Sequence, residues 1–184
     1  MTTGFTYLNE HGLPRLVDVG SKEETEREAV ARGCVRTTPA VVAAIREGRI
    51  EKGAVLPVAQ VAGIMGAKRT AEWIPLCHPL PLTGVDLRFQ LDEAAGTIDI
   101  EARVRTRGRT GVEMEALTAV AAAALTLYDM CKAVDRAMVI TDIRLEEKRG
   151  GKSGTYVRGA AGRPAAQEPA GHHAAPPREG ERPR

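Results

Sequence analysis

The sequence predicts an α+β sandwich, in which an antiparallel sheet is covered by helices on one face. Residues 85–91 and 97–105 alternate apolar and polar side chains, and residues 92–96 join them as a turn. This pattern predicts a β-hairpin with one face in water. Residues 112–136 are rich in alanine and predict one long helix. The order of the helices and strands favours helices gathered on one side of the sheet.

The chain divides into three predicted parts: a flexible N-terminal arm (1–14), a folded domain (15–158) and a disordered tail (159–184). The tail has none of the larger apolar residues and holds five of the eleven prolines. It therefore cannot bury enough apolar area to offset its chain entropy.

The first segments of the domain are the hardest to assign. Residues 15–19 form a short strand-like run. Residues 23–36 are ambiguous, because their partial alternation fits a strand whereas their Glu and Arg content fits a helix. We favour the strand.

Two helices are predicted next, over 38–48 and 53–74. Thr38 and Pro39 are typical of a helix N-cap and first turn, and Pro75 stops the second helix.

The long helix has recognisable features at its start and in its middle. Thr110 and Glu113 have the spacing of a capping box. The small side chains of residues 121–124 let another backbone approach closely. A last strand over 138–145 and a glycine-rich loop over 150–154 follow.

Composition narrows the function classes. The 26 Lys and Arg balance 24 Asp and Glu, and only six residues are aromatic, which argues against a nucleic-acid partner. Three cysteines without a C-x-x-C pair argue against a disulfide framework and indicate a reducing compartment. No apolar run reaches the roughly 18 residues of a membrane span, and no signal-peptide pattern opens the chain. We therefore expect a cytoplasmic protein that does not contact a membrane.

Lysine is scarce, with six Lys against 20 Arg. Burial can lower the pKa of a lysine, whereas arginine stays protonated. Either this scarcity reflects a coding bias, or the remaining lysines occupy positions at which an arginine could not replace the ammonium group. Composition does not decide between the two.

Asp129 and Lys132 lie three residues apart on one face of the long helix. Such a pair is an acid–base couple if it is dehydrated and a solvated ion pair if it is not. Spacing alone favours the structural interpretation, whereas the apolar neighbours favour partial burial. Glu115 lies about 21 Å from Asp129 along a helix axis, so a site that used both would more easily be shared between two subunits.

His78 follows Cys77 in a stiff loop, 75–81, that contains three prolines. It is either a packed loop histidine or an imidazole that binds a ligand or transfers a proton. We expect no metal here, because adjacent side chains in an extended chain point apart and no nearby Cys or His completes a tetrahedral set.

Lys152 follows Gly150 and Gly151, but the full G-x-x-x-x-G-K-[ST] spacing of a P-loop is absent. We therefore expect a basic loop that folds over an anionic ligand and not a nucleotide-hydrolysis loop.

Five separated motifs then give the chain a family resemblance. They are Ala67-Lys68-Arg69-Thr70, Ile74 to Leu80, Thr110 to Ala119, Leu127 to Ala133, and Lys148 with Gly150 to Gly154. In this order they closely resemble the cyclic pyranopterin monophosphate synthase family of molybdenum cofactor biosynthesis. The resemblance covers about residues 15–157.

The resemblance implies a ferredoxin-like α+β fold and a homohexamer built as a trimer of dimers, with the site at a subunit interface. It implies a lyase that converts 3′,8-cyclo-7,8-dihydroguanosine 5′-triphosphate to cyclic pyranopterin monophosphate and releases pyrophosphate. It implies no resident cofactor and no metal site, and it leaves open Mg²⁺ that accompanies the triphosphate.

Residue by residue, Asp129 and Lys132 match the family's catalytic pair. The positions that match substrate-contacting segments or basic pocket residues are Leu76, Cys77, His78, Met114, Glu115, Lys52, Lys68, Arg69, Lys148 and Lys152. Five of the six lysines thus fall in one expected site.

We hypothesise that neighbouring cations and partial burial lower the pKa of Lys132, which transfers protons while Asp129 positions it or takes the complementary role. His78 would orient or protonate the purine-derived ring, and Lys68, Lys148 and Lys152 would hold phosphates. Two other function classes stay open: an anion-binding module that does not convert its ligand, and an interaction protein that acts through its tail.

Overall fold

The computed structural model describes residues 7–159. It has five strands, β1 (Thr25–Arg36), β2 (Leu82–Asp92), β3 (Thr97–Gly108), β4 (Val139–Arg149) and β5 (Tyr156–Val157). Its four helices are α1 (Pro39–Arg46), α2 (Val55–Lys68), α3 (Thr70–Trp73) and α4 (Glu113–Cys131). The strands form one antiparallel sheet in the order β2-β3-β1-β4-β5. The predicted α+β class is confirmed.

The two faces of the sheet differ, as the alternation predicts. On β1, Ala29, Ala31 and Val35 are fully buried, and α4 packs over β1, β3 and β4 on that side. The opposite face carries cross-strand ion pairs such as Arg32–Glu101, with 2.6 Å between Nη2 and Oε2. Such exposed pairs contribute about 0–1 kcal/mol each, so the apolar core between sheet and helices supplies most of the stability.

The close approach predicted for the alanine-rich part of α4 is made by α2. A Cβ added at Gly63 would lie 3.0 Å from the carbonyl oxygen of Ala119. One added at Gly66 would lie 2.7 Å from the Cβ of Ala122 and 3.1 Å from the carbonyl oxygen of Thr118. Glycine on one helix and alanine on the other thus set how closely the two helices pack.

Replacing Gly66 by Ala is expected to destabilise the domain. Helix propensity favours alanine by up to about 1 kcal/mol, but the added methyl would press on the backbone of α4, and overpacking costs roughly 1–3 kcal/mol. We expect urea unfolding to report a net loss. Gln60→Ala at an exposed position of α2 is the control, and it should change the free energy of unfolding by less than about 0.5 kcal/mol. A more stable Gly66→Ala variant would show that α2 shifts without penalty.

The N-terminal part of the domain differs from the prediction. Residues 15–19 form no strand, and the bridge in this region joins Leu8 to Pro14. Residues 23–36 do contain a strand, β1, as favoured. Residues 1–6 of the predicted arm (1–14) and residues 160–184 of the predicted tail (159–184) lie outside the described residues.

The helix predicted over 53–74 is broken after Lys68. The backbone of Arg69 leaves helical geometry, with φ −111° and ψ 16°. The buried hydroxyl of Thr70 donates to the carbonyls of Gly66 and Ala67 at 3.3 and 3.0 Å. Such side-chain bonds to the preceding turn compete with regular helix geometry, and α3 continues only as a short turn.

The long helix is shorter than predicted at both ends. Its N-cap is Val112, with no side-chain cap, so the predicted capping box of Thr110 and Glu113 is wrong. Glu113 instead lies in the first turn, and its carboxylate occupies the space that a side chain at Gly111 would need. The helix ends at Cys131. In the turn that follows, the carboxylate of Asp135 accepts hydrogen bonds from the Thr37 hydroxyl and the Ala137 N–H, both at 2.8 Å.

Among the described helices, α4 alone is long and apolar enough to cross a bilayer by length and composition. It is largely buried against the sheet and α2, which is typical of the core helix of a folded domain.

Candidate functional site

The C-terminal end of α4 holds a cluster of one carboxylate and two ammonium groups. Lys132 Nζ lies 2.7 Å from Asp129 Oδ1, and Lys52 Nζ lies 2.7 Å from Asp129 Oδ2. Lys52 also donates to the main-chain carbonyl of Asp129 at 2.8 Å. Helical spacing brings Asp129 and Lys132 together, and the turn between α1 and α2 brings Lys52 to them. The resemblance assigned Lys52 to the basic pocket, and the structure places it against the carboxylate of Asp129.

The charges of this cluster fix its protonation. Hydrogen bonds from Lys132 and then Lys52 lower the pKa of Asp129 to about 2, so Asp129 stays a carboxylate at neutral pH. The hydrogen bond to Asp129 raises the pKa of Lys132. The expected lowering of the Lys132 pKa is therefore wrong for the single chain, because the nearest charge is a carboxylate and the side chain is in water.

In the single chain this cluster is open to solvent. About half of each side chain is exposed, between 45% for Lys52 and 56% for Asp129. A single protomer therefore does not give Asp129 and Lys132 the partial burial that their apolar neighbours predict.

Glu115, in the first turn of α4, is the buried carboxyl of the site, with 4% of its surface exposed. Burial, together with the charge of Glu113, raises its pKa to about 7 although its own backbone N–H opposes the shift. The thiol of Cys77 lies near enough for the charge of Glu115 to add to the effect of burial, and both raise its pKa. Cys77 is thus a neutral thiol beside a carboxyl group that changes protonation near neutrality.

The raised pKa of Glu115 predicts a pH-dependent stability. The folded chain binds this proton more tightly than the unfolded chain, whose carboxyl has a pKa near 4.5. The free energy of unfolding should therefore fall as pH rises from about 4.5 to about 7, and then level off. Glu115→Gln should remove most of this fall, roughly 1–3 kcal/mol, in urea unfolding at fixed protein concentration. An unchanged pH profile would show that Glu115 ionises normally.

His78 is held by the chain segment that precedes β1. Its Nε2 lies 2.8 Å from the carbonyl oxygen of Val17, so Nε2 carries the proton and donates. Nδ1 is then the ring atom that can accept or exchange a proton. The imidazole is half-buried, and this hydrogen bond fixes its orientation.

A cleft of about 860 Å³ opens beside the N-terminal end of α4, and Lys148 and Lys152 line it. Lys148 pairs with Ala29 in the sheet, which puts its side chain on the helix-covered face. Its Nζ lies 3.7 Å from Glu113 Oε1 and hydrogen-bonds the hydroxyl of Ser153. The glycine-rich loop thus forms one wall of a basic cleft.

The remaining predicted residues lie around this end of the fold or on the loop that leads away from it. Lys68 lines a second open cleft with residues 80–85, and Arg69 is exposed at the end of α2. Met114 is half-buried in the first turn of α4, and Leu76 is 38% exposed.

The site residues therefore fall into two groups at opposite ends of α4. Asp129, Lys132 and Lys52 form one group, and Glu115 with its neighbours forms the other. The two ends are about 21 Å apart along the helix axis, so one protomer does not bring them into a single small site.

Sequence reasoning missed three contributors. The carbonyl of Val17 orients His78, and no side-chain pattern signals a backbone acceptor. Arg27 and Arg109 line the cleft of Lys148. For Arg27 a signal was present, because period-two alternation from Ala29 and Ala31 puts it on the core face of β1.

The structure shows no group of three or more His, Cys, Asp or Glu side chains suited to a metal ion within residues 7–159.

Comparison with known proteins gives a consistent match. The MoaC family model matches residues 16–151, a span that includes every predicted site residue except Lys152. The cyclic pyranopterin monophosphate synthase of Heliobacterium modesticaldum is 62% identical over 153 residues, covering 83% of this chain and 96% of that protein. Proteins of the same name from Peptoclostridium acidaminophilum and Syntrophomonas wolfei subsp. wolfei are 58% and 60% identical over 154 residues, which is 84% of this chain and 97% and 98% of theirs.

Proposed function

The chain belongs to the MoaC family, and we propose that it converts (8S)-3′,8-cyclo-7,8-dihydroguanosine 5′-triphosphate to cyclic pyranopterin monophosphate. This is a lyase reaction of molybdenum cofactor biosynthesis in which pyrophosphate leaves. The observation that carries the proposal is the Asp129 carboxylate held between the ammonium groups of Lys52 and Lys132.

The cluster suits proton delivery. Asp129 is ionised at neutral pH and takes the positioning role, since a carboxyl of pKa about 2 has no proton to give. Lys132 is protonated and is the group that can donate. The rearrangement of the purine ring needs such a donor, and His78, fixed through Nε2, orients or protonates the ring from the other half of the site.

The basic cleft suits the triphosphate. Closing the cyclic phosphate breaks the bond between the α-phosphorus and the pyrophosphate oxygen, and negative charge develops on the leaving group. Ammonium groups stabilise that charge directly. Lys148 and Lys152, together with Lys68, are the residues proposed to hold the phosphates.

The two halves would meet between subunits. We propose a homohexamer, a trimer of dimers, in which the α4 C-terminal cluster of one protomer faces the basic cleft of its neighbour. Such an arrangement would cover the exposed Lys52, Asp129 and Lys132 group. The proposal needs no resident cofactor, and Mg²⁺ would arrive only with the triphosphate. We place the reaction in the cytoplasm.

The direct test is incubation of the purified chain with the cyclised guanosine triphosphate, followed by measurement of pyrophosphate and of oxidised pterin fluorescence. Formation of both products is expected, and Lys148→Ala should weaken substrate binding as well as slow the reaction.

A chain truncated before residue 159 should keep full turnover. Binding of ordinary GTP without any conversion would instead indicate an anion-binding module, and loss of activity on truncation would indicate a role carried by the tail.

A further inference from the structure

Lys132 lies at the point where α4 ends, and a short post-helix turn (132–136) begins with it. The helix ends at Cys131, and Lys132 is its C-cap residue, with φ −60° and ψ −17°. The Lys132 side chain is 51% exposed, so packing does not hold its ammonium group in place. The ends of helices open easily, because few buried contacts hold them. The position of Lys132 Nζ against Asp129 therefore depends on what fixes the post-helix turn.

Tyr128 bonds to both ends of the post-helix turn. Its carbonyl accepts the Lys132 N–H at 2.9 Å, and its hydroxyl donates to the carbonyl of Arg136 at 3.1 Å. Within the turn, the N–H of Asp135 donates to the carbonyl of Cys131 at 3.1 Å. The post-helix turn is thus folded back onto the last turn of α4.

The carboxylate of Asp135 ties the post-helix turn to a different part of the fold. It accepts a hydrogen bond from the Thr37 hydroxyl at 2.8 Å, in a half-buried position. The backbone of Thr37 is itself held by the turn between β2 and β3, since its N–H donates to the carbonyl of Gly96 at 2.8 Å. Gly96 has φ +64°, and a Cβ there would lie 2.5 Å from the carbonyl oxygen of Thr37. Thr37 is therefore a fixed donor that holds Asp135 from outside the helix.

We propose that Asp135 and Thr37 are positioning residues, which keep the post-helix turn closed and thereby hold the Lys132 ammonium at Asp129. They act through Lys132 and not on the substrate. A proton donor works only within about 0.5 Å of its productive position, so an open turn lowers the rate without weakening substrate binding. The role of Lys132 as donor rests on the proposed function, whereas its link to Thr37 rests on the contacts of the turn.

The first test compares variants that remove or keep the hydroxyl of Thr37. Thr37→Val has nearly the same shape but no hydroxyl. We expect its single-turnover rate at saturating substrate to be at least about 5-fold lower, with KM within about 2-fold of the wild type. Thr37→Ser keeps the hydroxyl and should have the wild-type rate.

The matched control is Thr126→Val, which also removes a half-buried hydroxyl that donates to a carbonyl at 2.8 Å. Thr126 lies on α4 but does not bond to the post-helix turn, so this variant should keep the wild-type rate. A wild-type rate in Thr37→Val, or an equal fall in Thr126→Val, would overturn the proposal.

Variants of Asp135 separate geometry from charge. Asp135→Ala loses both side-chain bonds and should lower the rate at least as far as Thr37→Val. Asp135→Asn has no charge, but its amide N–H can donate to the Thr37 hydroxyl while its oxygen accepts the Ala137 N–H. We therefore expect its rate within about 2-fold of the wild type. A rate as low as that of Asp135→Ala would show that the carboxylate acts through its charge, against the proposal.

A measurement on Lys132 itself separates this inference from the proposed function. The hydrogen bond to Asp129 raises the pKa of Lys132. NMR titration of chains with ¹³C-labelled lysine should therefore give a lower pKa of Lys132 in Thr37→Val than in the wild type or Thr37→Ser. The signal is assigned by its absence from Lys132→Arg.

The two readouts have distinct failures. If Thr37 serves only the stability of the fold, the pKa of Lys132 will not change in Thr37→Val, and that result would contradict the proposal. If the pKa shifts as expected but the wild-type chain does not convert the substrate, the proposed function fails and the positioning of Lys132 stands.

Discussion

Replacing Lys132 by Arg is expected to abolish turnover although the positive charge is kept. An arginine at this position can still pair with Asp129, but a guanidinium does not release its proton at neutral pH. General acid catalysis contributes typically 10²–10⁴-fold, so we expect product formation at least about 100-fold slower. The measurement is a single-turnover assay of oxidised pterin fluorescence at saturating substrate.

The control for this exchange is Arg46→Lys, the reverse charge-conserving change at an exposed ion pair with Glu93. It should leave the rate unchanged, and the melting temperatures of both variants should match the wild type, because exposed ion pairs contribute little. A Lys132→Arg chain that forms product at nearly the wild-type rate would refute proton transfer by Lys132.

Two inactive variants are expected to restore activity when their chains assemble together. Lys132→Ala removes a group at the C-terminal end of α4, and His78→Ala removes a group from the other half of the proposed site. If each site takes one half from each of two protomers, a mixed dimer has one site with both defects and one intact site. Random mixing then leaves about a quarter of all sites intact.

The experiment co-expresses the two chains with different affinity tags and isolates the mixed oligomers. Co-expression of Lys132→Ala with Lys132→Arg is the matched control, and it should stay inactive because every site lacks the same donor. Failure of the first pair to recover activity, with mixed oligomers present, would place both halves of the site in one protomer.

The hairpin of β2 and β3 could be predicted from sequence because one face of each strand is apolar and the other is charged. The same period in residues 23–36 identified β1 despite its helix-favouring glutamates, since the burial of Ala29 and Ala31 outweighs local propensity. Short-range signals were less reliable. Thr110 and Glu113 have capping spacing, but Glu113 lies in the first turn and faces Lys148 instead.

For the candidate site, the sequence supplied the residue types but not their partners. The pairing of Asp129 with Lys132 follows from helical spacing, whereas Lys52 comes from a turn 77 residues away and only tertiary structure brings it there. The pKa direction of Lys132 was wrong for the same reason. Its environment depends on which groups surround it in three dimensions, and one carboxylate at 2.7 Å outweighs more distant cations.

Helix α4 is unbroken, so its length fixes the distance between the two groups of proposed site residues at its ends. Its alanines are not among the proposed site residues, yet their number sets both the distance and the rotation of Asp129 relative to Glu115. Deleting one of residues 121–124 would shorten the distance between the two ends by about 1.5 Å and rotate one end by about 100° relative to the other. A residue can thus be chemically silent and still be indispensable through the length that it adds.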